Sequence, residues 1–164
     1  NTVRIADGID LQLQVPAGNT TQLQKIDAQY RNEHHSLLMQ VQTRNGVLDM
    51  AGMTMTGTRL FSLSFDGEQT RSWQSPLFTA PFDGTYVLAD HQLATLPVAV
   101  LQQALPQSAR IEERDNAHGE RVRHLFNRES GIVVEVLYRS GNRMQYCHRE
   151  RGYCLDITIL NAAQ

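Results

Sequence analysis

No apolar run in this chain of 164 residues approaches the ~20 residues that a membrane-spanning helix needs. Strong charge of one sign is missing as well. Fifteen basic residues stand against seventeen acidic ones, and a net charge of −2 gives no long-range pull toward nucleic acid or anionic lipid. Lysine is nearly absent, with Lys25 its single instance, and the arginines of the second half are interleaved with Glu112, Glu113, Asp115, Glu120, Glu129, Glu135 and Glu150. That pattern is a solvated surface of mixed sign, not a phosphate-binding stripe. The chain has no HExxH or CxxC pair, no acidic calcium loop and no phosphate-cradling glycine loop. No serine sits in a nucleophile-elbow frame. We therefore expect no enzyme, no metal and no cofactor. His34-His35 does not change this, because neighbours on a strand point to opposite faces. A basic-then-apolar signal segment is also missing, so a signal peptide is expected to have been removed upstream of Asn1.

What the chain does have is period-2 alternation broken by Gly, Asn and Asp, the mark of an antiparallel sheet. Ile9, Leu11, Leu13 and Val15 alternate with polar residues. Leu37, Met39 and Val41 run into Asn45-Gly46, whose type I′ turn needs positive φ at both central positions. That turn sets Val41 opposite Met50 and Thr43 opposite Leu48. Arg59 to Phe65 forms another strand, which Asp66-Gly67 turns back toward Trp73.

After Pro76 and Pro81 the rhythm changes. Between Tyr86 and Leu105 the apolar residues Leu93, Leu96, Val100 and Ala104 recur at helical steps, which predicts one or two short helices re-started by Pro97 and stopped by Pro106. Strands resume at about 109–115, 120–127, 132–139, 143–149 and 153–160. The expected fold is mainly β: a curved antiparallel sheet with a short helical insertion (about 86–105), in one domain over residues 1–164. Such a sheet encloses volume that is either filled by side chains or open to a ligand.

The two cysteines frame a hairpin. A loop centred between Glu150 and Arg151 makes Cys147 and Cys154 direct cross-strand partners, with Cα atoms ~4.5–5.5 Å apart, within reach of a disulfide. The same register puts Met144, Tyr146 and His148 on one face with Tyr153, Leu155, Ile157 and Ile159. The other reading is two buried thiols in a reducing compartment. Arginines and tyrosines mix along this hairpin, but its register points them apart, so no nucleic-acid partner is expected.

Met39, Met50, Met53, Met55 and Met144 have two readings: adaptable walls of a ligand site, or ordinary core. The helical stretch is likewise either a lid over a cavity or the second layer of a closed core.

Four motifs occur in order: Gly57-Thr58-Arg59-Leu60-Phe61; Phe65-Asp66-Gly67; Leu88-Ala89-Asp90-His91-Gln92-Leu93 with Leu96-Pro97; and Arg151-Gly152-Tyr153-Cys154-Leu155-Asp156-Ile157. Over about residues 35–160 the chain resembles an uncharacterised family of small proteobacterial lipoproteins whose genes accompany clusters for aryl-polyene and related fatty-acid-like pigments. The resemblance implies a LolA/LolB-like fold, an incomplete β-barrel whose concave face is covered by helices and holds acyl chains. It further implies a lipid-modified cysteine, expected upstream of Asn1, that anchors the domain at the periplasmic face of the outer membrane. A lipid or acylated molecule, bound or transferred in the periplasm, is then the expected partner; the alternative is an envelope scaffold with a filled core. Met39, Val41, Met50, Trp73, Leu93, Leu96 and Tyr146 are the expected cavity lining, chosen for apolar character and face.

Overall fold

The computed structural model describes residues 1–79 and 83–163; the expected break at Pro81 lies outside them. In chain order the elements are β1 (Thr2–Ala6), β2 (Ile9–Gln12), β3 (Thr20–Tyr30), β4 (Glu33–Arg44), β5 (Val47–Met53), β6 (Arg59–Phe65), β7 (Thr70–Gln74), α1 (Gly84–Thr95), α2 (Val98–Ala104), β8 (Ala109–Asp115), β9 (Arg121–Asn127), β10 (Gly131–Arg139), β11 (Arg143–His148) and β12 (Tyr153–Ala163). Ten strands form one antiparallel sheet in the order β7-β6-β5-β4-β3-β12-β11-β10-β9-β8. Its end strands do not pair with each other, so the sheet stays open, an incomplete barrel with two short helices between its edges.

Turn chemistry fixes the registers. Asn45 (φ 52°) and Gly46 (φ 78°) both adopt positive φ, and the hairpin pairs Val41 with Met50 and Thr43 with Leu48 as the alternation requires. Pairing of β11 with β12 sets Cys147 opposite Cys154, Tyr146 opposite Leu155 and Met144 opposite Ile157. The two cysteines form a disulfide, with Cα atoms 4.1 Å apart, slightly closer than expected.

Helix α1 lies on the buried side of the sheet. Asp83 caps its start, accepting from the Thr85 backbone N–H at 3.0 Å. Gly84 lets that start approach β6 closely; a Cβ there would meet Leu63 Cδ2 at 2.2 Å. At the other end, carbonyls that the helix leaves orphaned are taken by the sheet. Buried Arg123 donates to the Leu93 carbonyl at 2.7 Å, and the Tyr138 hydroxyl to the Ala94 carbonyl at 2.5 Å. On α2, Gln102 bonds edge strand β8 through both ends of its amide: its N–H reaches the Ala109 carbonyl at 3.3 Å, and its oxygen accepts from the Ile111 N–H at 3.0 Å. This covers part of an edge that would otherwise be open to pairing.

The β1–β2 hairpin pairs only with itself and enters the same core as the sheet. Ile5, Ile9 and Leu11 are buried to 1% exposure or less. Buried His148 of β11 bonds the Ile5 carbonyl at 3.1 Å, and Ser108 donates to the Gly8 carbonyl at 3.0 Å. Gln92 of α1 then holds the segment after the hairpin through two bonds, to the carbonyl (2.7 Å) and from the N–H (3.1 Å) of Gln14. The hairpin fills the part of the interior near β8–β11 with the protein's own side chains.

Candidate functional site

Part of the remaining interior is left open. Between α1 and the inner face of the sheet lies a cavity of about 170 Å³. Its strand walls carry Ile26 and Ala28 of β3, Leu37 and Met39 of β4, Met50 of β5 and Phe61 of β6. Met144 and Tyr146 of β11 and Leu155 and Ile157 of β12 complete that side. Val87, Asp90, His91, Ala94 and Thr95 come from α1, residues three and four apart that share one helix face.

Gln24 of β3 also lines the cavity, and two titratable groups on α1 interrupt the apolar wall beside it. Asp90 is 8% exposed and receives two hydroxyl donors, Tyr146 to Oδ1 at 2.6 Å and Tyr153 to Oδ2. Burial pushes the Asp90 carboxyl up to about 6, against the opposing pull of the two tyrosines and of nearby Arg151. The same burial, reinforced by Asp90, raises the Tyr146 hydroxyl well above its ordinary range. These bonds tie α1 directly to β11 and β12.

His91 is the second feature. It and Thr95 line both the cavity and a neighbouring cleft of about 480 Å³, bounded by Thr20, Gln22, Val41, Thr43 and Leu96. The histidine thus stands on the partition between the two spaces. Loss of solvation lowers its pKa to about 4. At neutral pH it is uncharged. Beyond the cavity, His148 accepts from the Arg151 N–H at Nδ1 (3.1 Å), and its pKa is lowered to about 4, first by burial and then by Arg151.

The arrangement provides a largely apolar space, a neutral imidazole at its boundary, and a carboxyl whose bonds are already taken by tyrosines.

Of the residues expected from sequence, the structure brings Met39, Met50 and Tyr146 together on the cavity wall, where Met144 joins them. Val41 and Leu96 line the adjoining cleft. Leu93 is 1% exposed within the core and lines neither space. Trp73 is a correction. It pairs with Ser62 and therefore lies on the face opposite Phe61 and Leu63, where it is 48% exposed. The expectation rests on its apolar character and on an inward face; the register of β7 overrules that face. Met55 is likewise exposed. In the sequence Asp90 and His91 stand out only as part of a motif. The available signal was a carboxylate at the helical spacing of Val87 and Ala94, on an otherwise apolar face.

An open antiparallel sheet with a helical lid over an apolar pocket defines the class of protein. The chain belongs to the family described as proteins of unknown function (DUF3261), which matches residues 21–161. Among curated proteins none matches it. Two solved structures are similar. One is a domain described as an outer membrane lipoprotein-sorting protein from Vibrio parahaemolyticus, with 7% identity and a TM-score of 0.41, covering 92% of this chain and 86% of that one. The other is a LolA superfamily protein from Nitrosomonas europaea, with 8% identity and a TM-score of 0.43, covering 92% and 88%. At that level of superposition nothing about activity or ligand follows from either.

Proposed function

We propose that this chain is a non-enzymatic domain of the bacterial cell envelope that binds an amphiphile and passes it on, the apolar tail lying under α1 and the polar end in the adjoining cleft. The observation that carries this reading is the apolar cavity continued into the cleft across His91 and Thr95. An apolar tail in water is disfavoured by ~25 cal/mol for each Å² left wet, and a dry wall removes that penalty without chemistry. The Cys147–Cys154 disulfide supports an oxidising compartment such as the periplasm. The family resemblance supplies the finer part: a lipid anchor upstream of Asn1 at the outer membrane, and acyl or polyene chains as cargo.

Volume limits the bound form. About 170 Å³ is close to the ~150 Å³ cavity that holds a benzene. It is below the ~300–1,000 Å³ of pockets for whole small molecules. With α1 where it stands, the cavity takes the end of one chain; a deeper tail requires α1 to move away from β11 and β12. Protein taken from envelope membranes, examined by native mass spectrometry and lipid extraction, is expected to carry an acyl or polyene compound in defined stoichiometry. Bare protein that also fails to bind such compounds when they are added contradicts the reading.

A second reading has one observation in its favour. The β1–β2 hairpin fills the rest of the interior, as in a scaffold whose core serves only stability. That reading expects no bound lipid and a protein partner recovered by crosslinking in the envelope.

A further inference from the structure

The displaced tryptophan leads to a second site, on the other face of the sheet and independent of the cavity. Two registers run straight across β4, β5, β6 and β7. One row is Gln40, Ala51, Ser62 and Trp73; the next is Gln42, Asp49, Ser64 and Arg71. Small side chains occupy the middle strands and large ones the flanks, so the rows enclose a trough of about 450 Å³ rather than a flat surface. Arg59 also lines it. By register, Arg71 and Arg59 lie on opposite sides of Trp73 along the strand direction.

Exposed polar side chains are unremarkable singly, and elsewhere on the outer face several of them pair with one another. Arg110 pairs with Glu112 at 3.0 Å, Arg121 with Glu113 at 3.3 Å, Arg149 with Glu135 at 3.3 Å and Lys25 with Asp27 at 3.8 Å. In the trough, Gln40, Gln42, Asp49, Arg59, Ser62, Ser64, Arg71 and Trp73 make no side-chain hydrogen bond or ion pair with another described residue. Arg71 feels Asp66 electrostatically across the turn without bonding it. The trough therefore combines a half-exposed indole, free amide, hydroxyl and carboxylate groups, and two guanidinium groups against one acid.

We propose that this trough binds a saccharide carrying a negatively charged group. The C–H face of a sugar ring is weakly positive and stacks on the negative face of the indole. Vicinal hydroxyls both donate and accept, which matches the mixed glutamine, serine and aspartate groups. Arg71 supplies charge-assisted bonds to a carboxylate or phosphate on the sugar. The volume lies within the range of small-molecule pockets, ~300–1,000 Å³.

The chain has one tryptophan, so its intrinsic fluorescence reports Trp73 alone. The full chain is titrated with an oligosaccharide of glucuronic acid, a neutral glucose oligosaccharide of equal length, an acidic peptide, and inorganic phosphate. A saturable change is expected with the acidic saccharide, with binding at least about tenfold weaker for the neutral one, the loss expected for one charge-assisted bond. Phosphate and the peptide are expected to give no saturable change. Arg71→Ala, at an exposed position, is expected to bring the acidic saccharide down to the affinity of the neutral one while circular dichroism and Tm stay unchanged. Trp73→Ala, followed by calorimetry, is expected to abolish binding of both. No saturable change with the acidic saccharide overturns the proposal. So does equal binding of the two saccharides, or an equal response to phosphate or to the acidic peptide.

Discussion

Tyr146 Oη donates to Asp90 Oδ1 at 2.6 Å, joining the middle of α1 to the floor of the sheet across 56 residues of sequence. Tyr153 donates to the other carboxylate oxygen, so the helix over the cavity is held by one acid and two phenols. Apolar contact keeps α1 down; this cluster fixes where it sits and gives its seating a pH dependence.

The folded pKa of Asp90, about 6, lies above the 3.8 of an exposed aspartate, because burial opposes the charge. Between those values the folded protein keeps a proton that the unfolded chain has released, so this contribution to stability grows as pH falls through 6 and is lost as pH rises. The displacement corresponds to roughly 3 kcal/mol. His91 and His148 act in the opposite direction. Their folded values of about 4 lie below 6.5, so their contribution is full above pH 6.5 and is lost as pH falls toward 4. Two histidines outweigh one acid, and the protein is expected to lose stability from pH 6.5 to 4. Asp90→Asn removes the opposing gain, and its stability is expected to fall more steeply over that window. Urea denaturation at pH 6.5 and 4.5 measures both slopes; equal slopes would place the Asp90 carboxyl outside this coupling.

The disulfide closes a short loop, its cysteines seven positions apart in sequence. Cys147 and Cys154 are already aligned by six paired positions of β11 and β12. Replacing both by serine is expected to lower stability by about 2 kcal/mol or less and to leave the far-ultraviolet circular dichroism unchanged. Loss of the fold in the double variant would show that the strands depend on the bond for their register.

The hairpin carries more. An isolated two-stranded hairpin is marginal in water, so β1–β2 owes its order to the core it enters. Ile9 has 0% exposure, and Ile9→Ala is expected to destabilise the protein by about 2–5 kcal/mol through lost burial and the cavity left behind. Thermal denaturation reads this directly. A change under about 1 kcal/mol would mean that the segment docks loosely.

Strands with strict alternation and glycine-marked turns were legible before any coordinates, as the pairings of Val41 with Met50 and Cys147 with Cys154 show. Strand β3 was not. Its inward positions include Gln24, 3% exposed, while Leu23 lies on the other face beside Gln40, so a polar residue inside and an apolar one outside cancel the period. Short β1 was missed because Thr2 to Ala6 alternates over too few residues to stand out. For the site, apolar character found Met39, Met50 and Tyr146, but it also drew in Trp73, because the face of β7 depends on a hairpin loop whose length the sequence leaves open. Asp90 was hidden for a deeper reason. Its partners Tyr146 and Tyr153 come from strands more than fifty residues away, and no local pattern brings the three together.

The central claim, an apolar tail seated beneath α1, is tested most directly by titrating the protein with a fluorescent polyene fatty acid, beside an Ala28→Phe variant. Ala28 lines the cavity on β3, and the larger ring occupies the space the tail needs. Saturable one-to-one binding by the unaltered chain, reduced at least about tenfold in a variant of unchanged Tm, is the expected result. Equal binding by both proteins would place the ligand elsewhere, and absence of binding in both would leave the cavity without the role assigned to it.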